Sequence, residues 1–155
     1  MVASLMFRKF AAAAVAVLAI SGFDLGAAYA SDDIHILPLA DALASPDAQK
    51  ALDGSVTFYF GNSHHPKALQ TLGEFVSNKK SNAFGKKDTS SCQRALASAL
   101  VAFQKRSKAL GGDAVVNIRS YYDKKEVSYD NEFECHSGFL MSGVTLKGEI
   151  VKLKP

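Results

Sequence analysis

The fold is decided by residues 90–122, whose sequence is SSCQRALASALVAFQKRSKALGGDAVVNIRSYY. Apolar residues recur at helical spacing through its first part and form one stripe: Cys92, Leu96, Ala99, Leu100, Phe103 and Leu110. The pattern Ser90-x-x-Gln93 is typical of a helix start, and Gly111-Gly112 is typical of a helix end. A β-branched run follows at once. This stretch therefore predicts a helix over Ser90–Leu110 and a strand over Ala114–Tyr121.

The residues before this unit predict shorter elements. Ser45-Pro46 is a strong helix start, with serine as the N-cap and proline at the first helical position. Val56–Phe60 is β-branched and aromatic throughout, which favours a strand. In chain order we expect an extended segment over Ser31–Pro38, a short helix over Leu39–Leu43, a helix from Pro46 to Leu52, a strand over Val56–Phe60, a helical turn over Lys67–Leu72, a weaker strand over Gly73–Asn78 and a lysine-rich loop over Lys79–Asp88.

Two further strands are expected after the helix-and-strand unit. Residues Val127–Ser137 predict a strand that pairs antiparallel with Ala114–Tyr121. Residues Val144–Leu153 predict the last strand, with a bulge at Gly148. The predicted fold class is therefore α+β, with one long helix packed on a mostly antiparallel sheet.

The first 30 residues have the pattern of a secretory signal peptide. Arg8-Lys9 gives a positive start, the apolar run over residues 10–23 is too short for a comfortable membrane span, and Ala28-Tyr29-Ala30 is a signal-peptidase motif. No cysteine follows the run, so lipidation is not expected. We expect a cleaved signal peptide over residues 1–30, a single α+β domain over residues 31–155 and a location in the periplasm of a Gram-negative bacterium. The alternative is an uncleaved N-terminal anchor; no later segment is long and apolar enough to span a membrane.

Composition argues against several classes of function. The chain carries a formal net charge of +3, which is too balanced to favour nucleic-acid binding. The sequence contains no phosphate-binding P-loop, no G-x-S-x-G or H-E-x-x-H motif and no closely spaced cysteine pair for zinc. We therefore expect no enzyme activity and no resident cofactor other than a divalent metal ion.

The chain has 2 cysteines, Cys92 and Cys135. In an exported protein, two cysteines predict one disulfide. A disulfide that closes the long loop between Cys92 and Cys135 contributes about 4 kcal/mol of stability in the chain-entropy model. The alternative is a pair of free thiols, one of them reactive. Cys135-His136 also suggests thiol–imidazole catalysis, but neighbours on a strand point to opposite faces, so their side chains diverge.

The predicted strand over Val127–Ser137 carries three carboxylates and an imidazole on one face: Asp130, Glu132, Glu134 and His136. Such oxygen and nitrogen ligands favour a divalent metal ion, with His64 or His65 of an earlier loop as further ligands. The alternative is a solvated face that pairs with Arg119 and with lysines of the neighbouring strand. The lysine pairs at 79–80 and 86–87 similarly fit either contact with an anionic lipid or polymer, or an exposed loop.

Five stretches carry a resemblance to one protein family: LPLADALASPDAQKAL (37–52), VTFYFG (56–61), GEFVSNKKSNAFGKKD (73–88), CQRALASALVAFQKRSKALGGDAVVNI (92–118) and FECHSGFLMSGVTLKGEIVKL (133–153). They are similar to small exported bacterial proteins of unknown function that often carry the label "excinuclease ATPase subunit". The label does not fit this chain, because the chain has an export signal and lacks the P-loop and zinc cysteines of a DNA-repair ATPase.

A long helix followed by Gly-Gly-Asp-Ala-Val-Val and paired strands also resembles, more distantly, two other families. These are the RcsF family of envelope stress-sensor lipoproteins and the YbjQ heavy-metal-binding family, whose members assemble into rings. The resemblance implies an RcsF/YbjQ-like core with a helix-to-strand disulfide between Cys92 and Cys135. The chain has no lipid anchor and no cysteines for a second bridge, so signalling at the outer membrane is not implied.

The sequence as a whole favours a non-enzymatic binding or envelope-sensing module. Its expected partner is an envelope protein or a second copy of the chain. The alternative function is metal binding through the acidic strand face.

Overall fold

The computed structural model describes residues 32–154, and the predicted signal peptide over residues 1–30 lies outside them. In chain order the elements are β1 (Asp33–Pro38), α1 (Leu39–Leu43), α2 (Pro46–Ala51), β2 (Thr57–Phe60), β3 (Gln70–Asn82), α3 (Asp88–Leu110), β4 (Ala114–Ser120), a short 3-10 helix (Tyr122–Lys124), β5 (Glu132–Ser137) and β6 (Met141–Lys152). Over this part of the chain, no helix has the length and apolar character needed to cross a membrane.

Helix α3 confirms the long helix predicted from its apolar stripe, but its start differs from the prediction. The helix begins at Asp88 rather than Ser90, and the capping box is wrong, because the Ser90 hydroxyl donates to the Lys87 carbonyl instead. Asp88 places a carboxylate in the first turn, where the helix dipole favours negative charge. The helix ends as predicted, since Gly111 takes the left-handed conformation with φ of 78°.

Strand β6 organises the six-stranded sheet. One edge of β6 pairs antiparallel with β3 along its whole length, from Met141 to Lys152. Its other edge pairs with β5 near Ser142 and with β4 from Leu146 to Val151. Strand β1 then adds to β5, and β2 adds parallel to β4. The predicted α+β class is therefore confirmed as a curled, mostly antiparallel sheet with one long helix.

Strands β3 and β5 depart furthest from the sequence prediction, in length or in partner. The helical turn over Lys67–Leu72 is wrong, since β3 begins at Gln70 and runs on through Lys79 and Lys80, which were expected in a loop. Pairing with β6 over the length of β3 outweighs its weak local strand preference. Strand β5 begins at Glu132, not Val127, and pairs with β1 and β6 rather than with β4.

The residues just before β5 are held by contacts other than strand pairing. The Leu39 amide donates to the Asn131 carbonyl at 2.9 Å, and the Asn62 amide donates to Asp130 Oδ1 at 2.7 Å. An isolated bridge between Ser120 and Val127 is the link to β4. These contacts lead the chain away from β4 before β5 starts.

The predicted bulge at Gly148 lies instead on the partner strand. Between Val116 and Arg119, β4 has one residue more than the facing part of β6, and Asn117 in this bulge has φ of 52°. Asparagine tolerates this conformation better than most residues do. Gly148 lies opposite this bulge, where a larger residue would not fit, because a Cβ there would lie 2.9 Å from Val115 Cγ1.

The core lies between α3 and the sheet. The helix buries most of its apolar stripe, with Leu96, Leu100 and Phe103 at most 1% exposed. Cys92, in its first turns, is bonded to Cys135 of β5, and both cysteines are completely buried. The predicted disulfide is confirmed, and the alternative of two free thiols is wrong.

Candidate functional site

His136 lies at the centre of a polar cluster on the sheet face opposite α3. Strand alternation turns Phe133 and Cys135 into the core, so Glu134 and His136 point to the other face. The 3-10 helix places Tyr122 flat on the imidazole, with ring centroids 3.3 Å apart and planes inclined by 8°. The His136 side chain is consequently only 8% exposed.

Two carboxylates lie beside the two ring nitrogens of His136. Asp32 Oδ1 is 3.0 Å from Nδ1, and Glu134 Oε1 is 2.8 Å from Nε2. Each ring nitrogen of His136 therefore has a carboxylate oxygen within hydrogen-bonding distance. Asp32 comes from the segment before β1, so the cluster joins residues that are far apart in sequence.

Two tyrosine hydroxyls complete the cluster. Tyr122 donates to Asp32 Oδ2 at 3.2 Å, and Tyr129 donates to Glu134 Oε2 at 3.3 Å. Burial raises the pKa of both tyrosines, and the neighbouring carboxylates raise it further. Both hydroxyls therefore remain protonated donors at neutral pH. Polar networks satisfied in this way make a structure rigid, so the cluster ties Asp32, the 3-10 helix and β5 together.

A cleft of about 300 Å³ adjoins the cluster. Asp123, Lys125 and Val127 line it together with residues of the cluster and Ile34. Within this cleft the cluster carboxylates face His136 and the tyrosines, so they are already engaged before any ligand arrives.

The six residues predicted to bind metal do not form one cluster. Glu134 and His136 bond to each other, whereas Asp130 lies before β5 and accepts from the Asn62 amide. Glu132 is exposed beside a second, open cleft of about 620 Å³. Among residues 32–154, no three His, Cys, Asp or Glu side chains are placed to hold a metal ion.

The two loop histidines lie apart from the cluster. His64 is exposed, and His65 packs against Tyr59 with ring centroids 5.5 Å apart. The His65 ring also bonds to the Pro66 carbonyl at 2.8 Å. These contacts are those of a surface loop.

The predicted pairing of Arg119 with the acidic face of β5 is also wrong. Arg119 bonds to Glu74 at 2.6 Å and to Glu126 at 2.7 Å, and Lys147 bonds to the same two glutamates at 2.8 and 2.6 Å. These four side chains form a closed charged ring on the outer face of the sheet. Hydrogen bonds from Lys147 and Arg119 lower the pKa of both glutamates.

A second surface, which the sequence prediction missed, stands at one end of the sheet. Four large apolar side chains are exposed there, by 59% at Phe84, 74% at Phe139, 60% at Leu140 and 44% at Met141. We call these four residues the apolar tip. Phe84 lies on the turn between β3 and α3, Phe139 and Leu140 lie on the neighbouring turn between β5 and β6, and Met141 is the first residue of β6. The run Phe-Leu-Met directly after a glycine turn was the available signal in the sequence.

Backbone and ring contacts join the two turns. The Ala83 amide donates to the Leu140 carbonyl at 2.8 Å, and the Gly138 amide donates to the Met141 carbonyl at 2.9 Å. The Phe84 and Phe139 rings meet edge to face with centroids 5.4 Å apart. The apolar tip is therefore one surface and not two separate loops.

No family model matches this chain, and no curated protein matches it. The resemblances drawn from the sequence stay predictions.

Proposed function

We propose that the protein is a non-enzymatic binding module of the bacterial envelope and that it binds through the apolar tip. The observation that carries this proposal is the joint exposure of Phe84, Phe139, Leu140 and Met141. Contiguous apolar surface on a folded protein marks interaction sites. The same chain buries Phe103 and Phe133 to 1% exposure, so its core accommodates large apolar side chains.

The polar cluster supports the non-enzymatic part of the proposal. Both nitrogens of His136 and both carboxylate oxygens of Glu134 are within hydrogen-bonding distance of neighbouring side chains. Tyr122 covers one face of the imidazole. A structural role accounts for each of these contacts, since together they fix the segment before β1 against β5.

The envelope location rests on the predicted signal peptide and on the disulfide. Structural disulfides are typical of oxidising compartments such as the periplasm. The proposed family of small exported proteins agrees with this location.

The test compares a tip variant with a matched control in binding to washed envelopes of a Gram-negative bacterium. Phe139→Ser with Leu140→Ser removes two exposed side chains of the apolar tip. Leu69→Ser with Val76→Ser removes two that are 62% and 51% exposed elsewhere. Burial of one such side chain contributes about 2 kcal/mol, so the tip variant should bind more than about tenfold more weakly.

The control variant should sediment with the envelopes as the wild type does. Equal sedimentation of the tip variant and the wild type would remove the proposal. Circular dichroism of each variant verifies that the fold is retained.

A further inference from the structure

We propose that the partner of the apolar tip is the surface of an anionic phospholipid bilayer. This inference rests on the proposed function and names its binding partner. It is carried by the charge around the apolar tip together with the exposure of its side chains.

Four exposed lysines accompany the apolar tip. Lys79 and Lys80 lie at the end of β3, and Lys86 and Lys87 lie in the turn before α3. Within residues 79–91 and 136–143 the single carboxylate is Asp88, and the start of β1 brings Asp32 and Asp33 to this end, because Asp33 pairs with Ser137 and Asp32 bonds to His136. Asp88 accepts from the Ser137 hydroxyl at 2.8 Å and faces His35 at 3.7 Å. Four lysines against three carboxylates leave this end with a small net positive charge, and two of the carboxylates are engaged by Ser137 and His136.

The combination of apolar and basic side chains matches a lipid surface. Phenylalanine, leucine and methionine enter the boundary between headgroups and acyl chains, while lysines extend their ammonium groups to lipid phosphates. Lysines near an anionic bilayer each strengthen binding about fivefold. Neither set of side chains has to move far, because both are already exposed.

A second copy of the chain fits the apolar tip less well than an anionic bilayer does. Pairing two apolar tips about a two-fold axis would bring the four lysines of one copy next to those of the other. Like charges that face each other across an interface oppose association. A bilayer containing phosphatidylglycerol offers the opposite charge.

The first experiment uses the absence of tryptophan from the chain. Phe139→Trp introduces a single indole at the most exposed position of the apolar tip. Vesicles of phosphatidylglycerol and phosphatidylcholine should shift its emission to shorter wavelength and protect it from aqueous quenchers. Vesicles of phosphatidylcholine alone should do so much less. An unchanged spectrum with the anionic vesicles overturns the inference.

The second experiment measures sedimentation of the exported protein with the same vesicles. Lys79→Gln with Lys80→Gln should weaken binding about 25-fold, and Lys86→Gln with Lys87→Gln should do the same. The matched control is Lys105→Gln with Lys154→Gln, which removes equal charge from the C-terminal half of α3 and from the residues after β6. Equal losses in the control and the lysine-pair variants would overturn the role of the lysines at this end.

The outcomes separate this inference from the proposed function. Binding to envelopes that depends on the apolar tip, with no binding to protein-free anionic vesicles, keeps the binding module and overturns the lipid partner. Sedimentation velocity tests whether the partner is instead a second copy of the chain. A wild-type dimer that dissociates in the Phe139→Ser with Leu140→Ser variant would assign the apolar tip to self-association and overturn the lipid partner.

Discussion

At the scale of single residues, Gly61 holds a position that no other residue fits. Its φ is +56°, and a Cβ there would lie 2.1 Å from Asp130 Oδ1 and 2.8 Å from the Tyr129 carbonyl oxygen. The aspartate can move, but the carbonyl belongs to a backbone fixed by neighbouring contacts. Gly61→Ala should therefore lower the free energy of unfolding by about 2–3 kcal/mol, measured by urea denaturation.

Gly54 provides the matched control for this substitution. It also has a positive φ, of +73°, but a Cβ there would meet nothing within 4 Å. Gly54→Ala should cost about 1 kcal/mol, from the backbone conformation alone. If both variants lose the same stability, the close approach of Gly61 to Tyr129 is not the cause.

At the scale of elements, the charged ring joins β3, β4 and β6 to the segment before β5. Lys147 and Arg119 lower the pKa of Glu74 through hydrogen bonds, so the folded state holds this carboxylate charged to lower pH than the unfolded state does. Its stabilising contribution is present above the unfolded pKa of about 4.3 and is lost as pH falls through the folded value. Glu74→Gln should thus lower the melting temperature at pH 7, with a difference that shrinks towards acidic pH.

The pH series needs a carboxylate outside the ring for comparison. Glu132→Gln removes an exposed carboxylate of β5, and the melting temperature of this variant should follow that of the wild type across the same pH range. Added salt should reduce the effect of Glu74→Gln, since the ring is partly exposed and screened. A difference for Glu74→Gln that stays constant from neutral to acidic pH would contradict the account of the ring.

At the scale of the whole molecule, the sequence predicted those features that depend on residues close together in the chain. The Ser45 side chain does accept from the Ala48 amide, and Gly111 does end α3. Two-residue alternation also placed Glu134 and His136 on one face. By contrast, Asp32 is 104 residues from His136, and no local pattern indicates that they meet. The extent of β3 and the partners of β5 depend on such long-range pairing too.

The apolar tip likewise depends on residues far apart in the chain, which local sequence patterns do not bring together. Phe84 and Phe139 are exposed because their two turns end up side by side at one end of the sheet, beyond the reach of α3. Their sequence environment, taken alone, is equally compatible with burial. The surface on which the proposed function depends therefore became visible only with the fold.

The disulfide has a different structural effect on the two sides of β6. Twelve register pairs join β3 to β6, but two join β5 to β6, and β1 pairs with β5. The Cys92–Cys135 bond is thus a main tie between α3 and the wing made of β1 and β5. Its 43-residue separation corresponds to about 4 kcal/mol in the chain-entropy model. Cys92→Ala with Cys135→Ala should lose about that much stability in urea denaturation.

The wing should also lose protection against hydrogen exchange before the rest of the sheet does. Amides of β1 and β5 should exchange faster in the double alanine variant, whereas those of β3 and β6 should follow the global loss of stability. His136 belongs to this wing and Asp32 directly precedes it, so the polar cluster should loosen with the wing. Uniform acceleration across β1, β3, β5 and β6 would mean that the disulfide stabilises the molecule as a whole and does not act locally on the wing.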